Sequence, residues 1–168
     1  MLKKLNFNIL IIALMILSAI GTLTTVFIFE YLGVSPCILC LYQRVPYFIA
    51  GILGLLALFI KKHAKYLVLI TAFGFFINIF IAGFNVGVER HWWEGTEQCE
   101  EQGVNTPTTI EEMQAVITGQ KKETLARCDE IGWSLFDNKI ITLAVLNVFG
   151  SLVLFLILTF GFIRWRKV

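Results

Sequence analysis

Four long apolar stretches, at about residues 7–29, 45–60, 66–88 and 140–163, most constrain what this chain can fold into. A helix needs roughly 20 mostly apolar residues to cross the hydrocarbon core of a bilayer. With 57% of its 168 residues hydrophobic, the chain is too apolar for a soluble domain of its length. The second stretch is short until the residues before it are added as the helix's first turn, giving about 41–60. The expected fold is all-α, a bundle of four transmembrane helices in a single domain over residues 1–168. No internal repeat or low-complexity tract interrupts it.

The first stretch follows Lys3 and Lys4, as the apolar core of a signal peptide would, and Ala19-Ile20-Gly21 loosely resembles a cleavage site. Its apolar run continues to Phe29, beyond the roughly 7–15 residues of a secretory signal, so a retained anchor is favoured. Charge then orients the chain. Lys3, Lys4, Lys61, Lys62, Lys65, Arg164, Arg166 and Lys167 lie at the two termini and in the turn between the second and third stretches. That face carries +8 and no carboxylate, while all 12 acidic residues and the other basic ones give −6 on the opposite face. The positive-inside rule puts both termini in the cytoplasm. The basic residues mark membrane ends, so the net charge gives no reason to expect nucleic acid as a partner.

All four cysteines, Cys37, Cys40, Cys99 and Cys128, consequently fall on the outer, oxidising side, where disulfides persist. Cys37 and Cys40 form a Cys-x-x-Cys pair in a short first outer loop, residues 30–40. Cys99 and Cys128 lie in a long second one, residues 89–139. A loop of that size is uncommon unless it is functional or disordered. Thr109, Ile110, Glu111 and Glu112 resemble a capping box, and Ile110, Met113, Val116 and Ile117 share one face of the short helix that would follow. That helix is expected to lie in the membrane interface or to pack on its own loop.

Alone, a Cys99–Cys128 bond would read as a structural staple worth roughly 3–4 kcal/mol in the chain-entropy model. The Cys-x-x-Cys pair changes that weighting, because residues three apart rarely staple a fold and commonly cycle between dithiol and disulfide. Zinc is the competing use of four cysteines. It is disfavoured by the wide second spacing and the oxidising compartment, so no metal is expected. Four cysteines allow three complete pairings, and a cross-loop Cys37–Cys128 bond stays open beside the pairings within each loop.

Arg44 stands four residues after Cys40, on the same face if both are helical. A guanidinium there would stabilise a thiolate, as would a helix N-terminus. The alternative is an interfacial arginine accompanied by Tyr42 and Tyr47. Pro46 leaves open a helix that begins only near Val45, which would strand Cys40 and Arg44 in a turn. His63 sits in the basic turn, and His91 follows the third stretch beside Trp92 and Trp93, where an aromatic belt is expected. Asn78, Asn85 and Asn147 are expected to hydrogen-bond between helices, and Gly51, Gly54 and Gly74 to allow close helix approach.

The run Pro36-Cys37-Ile38-Leu39-Cys40-Leu41-Tyr42-Gln43-Arg44 resembles the PCxLCxxxR signature of the DsbB family, the disulfide-bond formation proteins of bacterial inner membranes. The stretches Trp92-Trp93-Glu94-Gly95 and Arg127-Cys128-Asp129-Glu130 look similar to that family too, and the resemblance covers essentially the whole chain. It implies a quinone-dependent thiol:disulfide oxidoreductase with disulfides Cys37–Cys40 and Cys99–Cys128. Its partner would be a periplasmic DsbA-like oxidase of thioredoxin fold, whose reduced cysteine attacks Cys99. Cys128 would exchange with Cys37, and Cys40 would pass electrons to ubiquinone or menaquinone with support from Arg44. His91 would be a further quinone contact. Gln43 stands where some members carry an acidic residue, so a charge pair with Arg44 would be absent.

Two other functions fit some of the residues. A vitamin K epoxide reductase-like enzyme also combines a helical bundle with Cys-x-x-Cys and loop cysteines, but its pair normally lies late in the chain. A non-enzymatic membrane scaffold would use both disulfides as staples only.

Overall fold

A computed structural model of the chain describes residues 2–33, 36–96, 99, 127–129, 134–135 and 141–166. Four helices account for nearly all of them: α1 (Leu2–Tyr31), α2 (Ile38–Phe59), α3 (Ala64–Glu89) and α4 (Leu143–Arg166). Each contains a segment long and apolar enough to cross a membrane, at Asn8–Phe29, Ile38–Phe59, Ala64–Glu89 and Leu143–Trp165. The architecture is therefore the all-α, four-span bundle, and the protein is a multi-pass membrane protein. A two-residue antiparallel ladder, β1 (Ser134–Leu135) with β2 (Ile141–Thr142), precedes α4. The short loop helix expected around residues 110–117 lies outside the described residues.

The bundle is arranged by polarity in the reverse sense of a soluble domain. Large apolar side chains such as Leu10, Phe27, Phe59, Phe80 and Phe160 face outward, while Gln43, Thr71, Asn78, Asn85 and Ser151 are buried. Lipid tails are as apolar as leucine, so outward burial gives the helices no reason to associate. Close packing and interhelical hydrogen bonds supply it. α3 packs extensively on both α2 and α4, and α1 on α2, whereas α1 and α4 meet only briefly. Ile11, Met15, Ala50, Val68, Ala72, Phe75 and Leu158 form the central apolar core.

Small residues set how closely α1 and α2 approach. A Cβ on Gly51 would run into Ala19, and one on Gly54 would lie 3.0 Å from Ile16 and 3.1 Å from Met15. Gly74, read from sequence as a third such contact, has open space where its Cβ would be. It lies in an apolar groove between α2 and α3 that is shared with Pro46 and Phe80. A glycine motif alone does not say which face of the helix meets a neighbour.

Hydrogen bonds join three of the helices. Asn147 on α4 donates to Gln43 on α2 at 2.6 Å and accepts from the Tyr47 hydroxyl at 2.5 Å. Asn78 on α3 donates to Ser151 on α4 at 2.8 Å, and Ser151 lies 3.2 Å from the Tyr47 hydroxyl. Tyr47 is thus an interior residue, edge-on to Phe75 at 5.0 Å, and not a belt residue beside Arg44. Such bonds are each worth only about 0.6 kcal/mol on average within a membrane. Their larger effect is on register, because sliding one helix would strand several buried polar groups at once.

Helix ends place the loops. α2 begins at Ile38 with Cys37 as its N-cap and runs through Pro46. Proline lacks the N–H for one backbone bond, yet the packed bundle holds the helix together past it. Cys40 and Arg44 are therefore helical, and the alternative start near Val45 is not what the chain adopts. α4 begins at Leu143, three residues later than expected, because Ile141 and Thr142 pair with β1 and Thr142 accepts from the Val145 backbone N–H at 3.4 Å. Thr142 also donates to Glu89 at 2.6 Å, tying the end of α3 to the start of α4.

Candidate active site

The first half of the site is built by the start of α2. Cys37 has extended backbone angles, φ −82° and ψ 164°, and its Sγ accepts from the Cys40 backbone N–H at 3.1 Å. A sulfur in that position receives the positive end of the helix dipole, which favours thiolate on Cys37. Cys37 and Cys40 are joined as a disulfide, with Cα atoms 5.1 Å apart. The single turn between them brings both sulfurs to the same end of the helix.

The second half depends on how α3 stops. His91 has φ 55°, and its N–H donates to the Val88 carbonyl at 3.0 Å while the Trp92 N–H donates to the Gly87 carbonyl at 2.9 Å. These are the paired bonds of a Schellman cap, with histidine where glycine is usual. Left-handed backbone costs a non-glycine residue roughly 1–2 kcal/mol. The reversal folds Trp93 back along α3, where its indole N–H donates to the Phe84 carbonyl at 3.0 Å and its ring stacks on Phe84 at 5.9 Å. Gly87 leaves space for that ring, since a Cβ there would collide with it. The chain then continues through Gly95, whose Cβ position lies 3.5 Å from Val88, to Cys99. Trp93 is accordingly a fold-back anchor, and Trp92 is the more exposed of the two at 68%.

Cys99 and Cys128 are also disulfide-bonded, with Cα atoms 5.3 Å apart. The two disulfides share one cluster. Cys37, Leu39, Val88, Cys99 and Cys128 form one buried cluster, with Ile38, Cys40 and Phe84 packed against it. The end of α3 supplies the floor on which the loop cysteines rest beside the α2 pair.

Two cavities open from this cluster. One, about 590 Å³, is lined by Cys99 together with His91, Trp92, Trp93, Glu94, Arg127 and Asp129. The other, about 780 Å³, is lined by Cys40, Gln43, Arg44, Tyr47 and Asn147 at its polar part and by apolar residues of α1 and α4 such as Leu17 and Val153. Cys37 and Cys128 line neither cavity. Arg44 thus shares a wall with Cys40, whereas His91 sits on the wall of the Cys99 cavity.

Gln43 is 4% exposed, and its Oε1 accepts from the Asn147 Nδ2. Its Nε2 has no hydrogen-bond partner among the described residues. An unpaired buried donor beside Cys40 and Arg44 suits a ligand that offers acceptors and no donors. Gln43 therefore brings a neutral amide to the lining of this cavity. Asn85 was not singled out from sequence for a place near the sulfurs, and Gln43 was noted only as a neutral residue in the signature beside Arg44. Each is one buried amide among several, and only side-chain direction distinguishes them.

Beside Cys128, Arg127 grips Asp129 with two bonds, Nε to Oδ1 at 2.9 Å and Nη2 to Oδ2 at 2.8 Å. The guanidinium holds the Asp129 carboxyl below its usual range, and the charge of nearby His91 adds to this. A depressed acid stabilises its fold above the unfolded value, about 3.9, and that contribution is lost as pH falls through the folded value. The Cys99–Cys128 disulfide is therefore expected to resist reduction evenly from pH 8 to 5 and to become more reactive in stronger acid. Rates with a phosphine reductant, normalised at each pH to a small reference disulfide because the phosphine itself titrates, measure this. Asp129→Asn is expected to show the faster rate already at pH 7, and a rate unchanged in that variant would show that the fork does not shield the bond.

Residues 8–161 match the family described as disulfide bond formation protein DsbB. Among curated proteins, uncharacterized protein RP370 of Rickettsia prowazekii (strain Madrid E) is 31% identical over 90 residues. That alignment takes in 53% of this chain and 52% of the relative, about half of its length. No solved structure matches.

Proposed function

The chain belongs to the disulfide bond formation protein DsbB family, and from that premise we propose that it is a membrane thiol oxidase. It would take electrons from a periplasmic DsbA-like, thioredoxin-fold oxidase and deliver them to a membrane quinone, ubiquinone or menaquinone. Its place would be the bacterial inner membrane, with both termini cytoplasmic, as the distribution of Lys and Arg favours. Family membership and the two disulfides fit an oxidoreductase of this kind.

The sorting of the four sulfurs carries the reading. Each disulfide has one cysteine on a cavity wall, Cys99 or Cys40, whose mate, Cys128 or Cys37, lines neither cavity, and Cys99, Cys128 and Cys37 all belong to the buried cluster against which Cys40 packs. That arrangement supports entry at Cys99, internal exchange between Cys128 and Cys37, and exit at Cys40. A partner thiolate attacks Cys99 Sγ, the bond to Cys128 breaks, and its electron pair leaves on Cys128 Sγ. Cys128 attacks Cys37, and the Cys37–Cys40 bond breaks with its pair on Cys40 Sγ. The partner's second thiolate then closes the partner's own disulfide and frees Cys99, which displaces Cys37 from Cys128. The outcome is an oxidised partner, a restored Cys99–Cys128 bond and a reduced Cys37/Cys40 pair.

A quinone bound in the Cys40 cavity would supply the two-electron acceptor that restores Cys37–Cys40. Its fit rests on the donors present, the unpaired Nε2 of Gln43 and the guanidinium of Arg44, facing a ligand class whose polar atoms are acceptors. The apolar α1 and α4 walls suit an isoprenoid tail. Arg44 would also hold negative charge near Cys40 through its fixed positive charge. His91 lines the Cys99 cavity, where it would shape the loop around that sulfur.

The test is quinone reduction by the purified chain in lipid nanodiscs, driven by a reduced thioredoxin-fold oxidase. Catalytic loss of quinone absorbance with oxidation of the partner is expected. A partner whose thiols stay reduced in the presence of excess quinone would overturn the function, and resistance of both disulfides to that partner would leave a scaffold.

A further inference from the structure

Asn85 is wholly buried on α3. Its Nδ2 donates across the helix interface to Cys40 Sγ at 3.7 Å, and its Oδ1 has no hydrogen-bond partner among the described residues. The other interior asparagines are used differently. Asn147 both donates to Gln43 and accepts from Tyr47, and Asn78 donates to the Ser151 hydroxyl. Those bonds join helices. The Asn85 amide instead spends its donor on sulfur, a weak acceptor while it is part of a disulfide. A half-used amide in the dry interior is costly, a cost that Asn78 shares because its Oδ1 is also without a partner among the described residues, and an apolar residue would avoid it. What distinguishes Asn85 is the sulfur its donor meets. The arrangement becomes favourable only when the sulfur carries charge, since hydrogen bonds to ionised groups are about twice as strong as neutral ones.

We propose that Asn85 is a catalytic residue whose Nδ2–H holds the negative charge that develops on Cys40 when the Cys37–Cys40 bond opens. The inference rests on Cys40 being the sulfur released in the proposed relay. As a thiolate bonds to Cys37 Sγ, the Cys37–Cys40 bond breaks and its electron pair moves to Cys40 Sγ. No proton moves in that step. Cys40 then lies between two sources of stabilisation, Arg44 on the cavity side and the Asn85 amide from within the bundle. The low dielectric of the interior strengthens the amide's contribution. Because the donor is already aimed at the sulfur, little reorganisation is needed as charge appears.

The test uses the full chain in lipid nanodiscs with Cys37→Ala, Cys99→Ser and Cys128→Ser, so that Cys40 is the sole thiol. Its alkylation by iodoacetamide is followed against pH by mass spectrometry. Asn85→Leu, which is close to asparagine in shape and removes the unpaired Oδ1 as well, is expected to slow alkylation at pH 7 about tenfold, the scale of a lost hydrogen bond to a charged group. The profile should move to higher pH with its plateau unchanged. The same variant should melt no earlier than its parent, an outcome that a merely structural role for Asn85 would not give. Asn78→Ala, which also removes a buried amide from α3, should leave the profile where it is. An unmoved profile in Asn85→Leu, or an equal movement in Asn78→Ala, would overturn the proposal. Should Asn85→Leu fail to fold, Asn85→Ala in the same background decides between the same outcomes. Neither quinone nor partner protein enters this titration. A negative result would therefore leave the quinone-reduction reading standing, and a failed quinone assay would leave the titration's outcome intact.

Discussion

Cys40→Ala and Cys37→Ala are each expected to abolish quinone reduction, by on the order of 10³-fold or more, the scale of losing a covalent nucleophile. Both variants keep Cys99–Cys128, so the first exchange with a reduced partner still proceeds. The electrons then have no second disulfide to enter. The expected signature is therefore a burst: about one equivalent of partner oxidised per chain, with no continuing turnover. This separates loss of the inner station from loss of the fold, because an unfolded chain would give neither burst nor turnover. The Cys37–Cys40 bond joins residues one helical turn apart, so its removal releases little chain entropy and α2 should persist. Sustained quinone reduction in either variant would end the relay as written.

The second large effect is a divergence between two electron donors. With Cys99→Ser or Cys128→Ser, turnover driven by the protein partner is expected to fall by a similar order, since its entry sulfur or the transfer sulfur is gone. Dithiothreitol, small enough to enter the Cys40 cavity, is expected to continue driving quinone reduction at a rate of the same order as wild type. It would attack Cys40 and displace Cys37, whose sulfur at the helix N-terminus is a favourable leaving group. The loop variants also lose a cross-link worth roughly 3–4 kcal/mol, so loop structure is expected to loosen without loss of the four spans. Steady-state rates with each donor, measured on the same preparation, decide the matter. Equal losses with both donors would mean that the loop cysteines support the α2 site structurally, and equal retention would place the partner's entry elsewhere.

The two largest predictions draw on features of unequal legibility. Four apolar segments and the Cys-x-x-Cys spacing are local properties, and the structure contains the expected bundle with α2 starting at that pair. Helix ends were less legible. Pro46 suggested a late start for α2, because an isolated helix suffers from a missing backbone bond, whereas neighbouring helices hold this one through it. Thr142 looked like part of an apolar run but caps α4 while bonding Glu89. Tyr47 and Gly74 were misassigned for a common reason: residue type does not reveal which side of a helix meets protein, lipid or an open groove. His91 beside two tryptophans carried an interfacial look, and its left-handed backbone depends on the turn it makes.

Sequence by itself determined the membrane class, the number of spans, the residues capable of redox chemistry and the family signature that connects them. The first three follow from composition, apolar run length and spacing, which act within a few residues, and the last from resemblance to the family. The gathering of two disulfides in one cluster with Val88, the separation of Cys99 and Cys40 onto different cavities, and the aim of Asn85 at sulfur were decided only by tertiary structure. The physical reason is that each requires helices distant in sequence to adopt one rotation and register. In a bilayer that choice is made by close packing and buried hydrogen bonds, because the hydrophobic effect does not distinguish one apolar helix face from another.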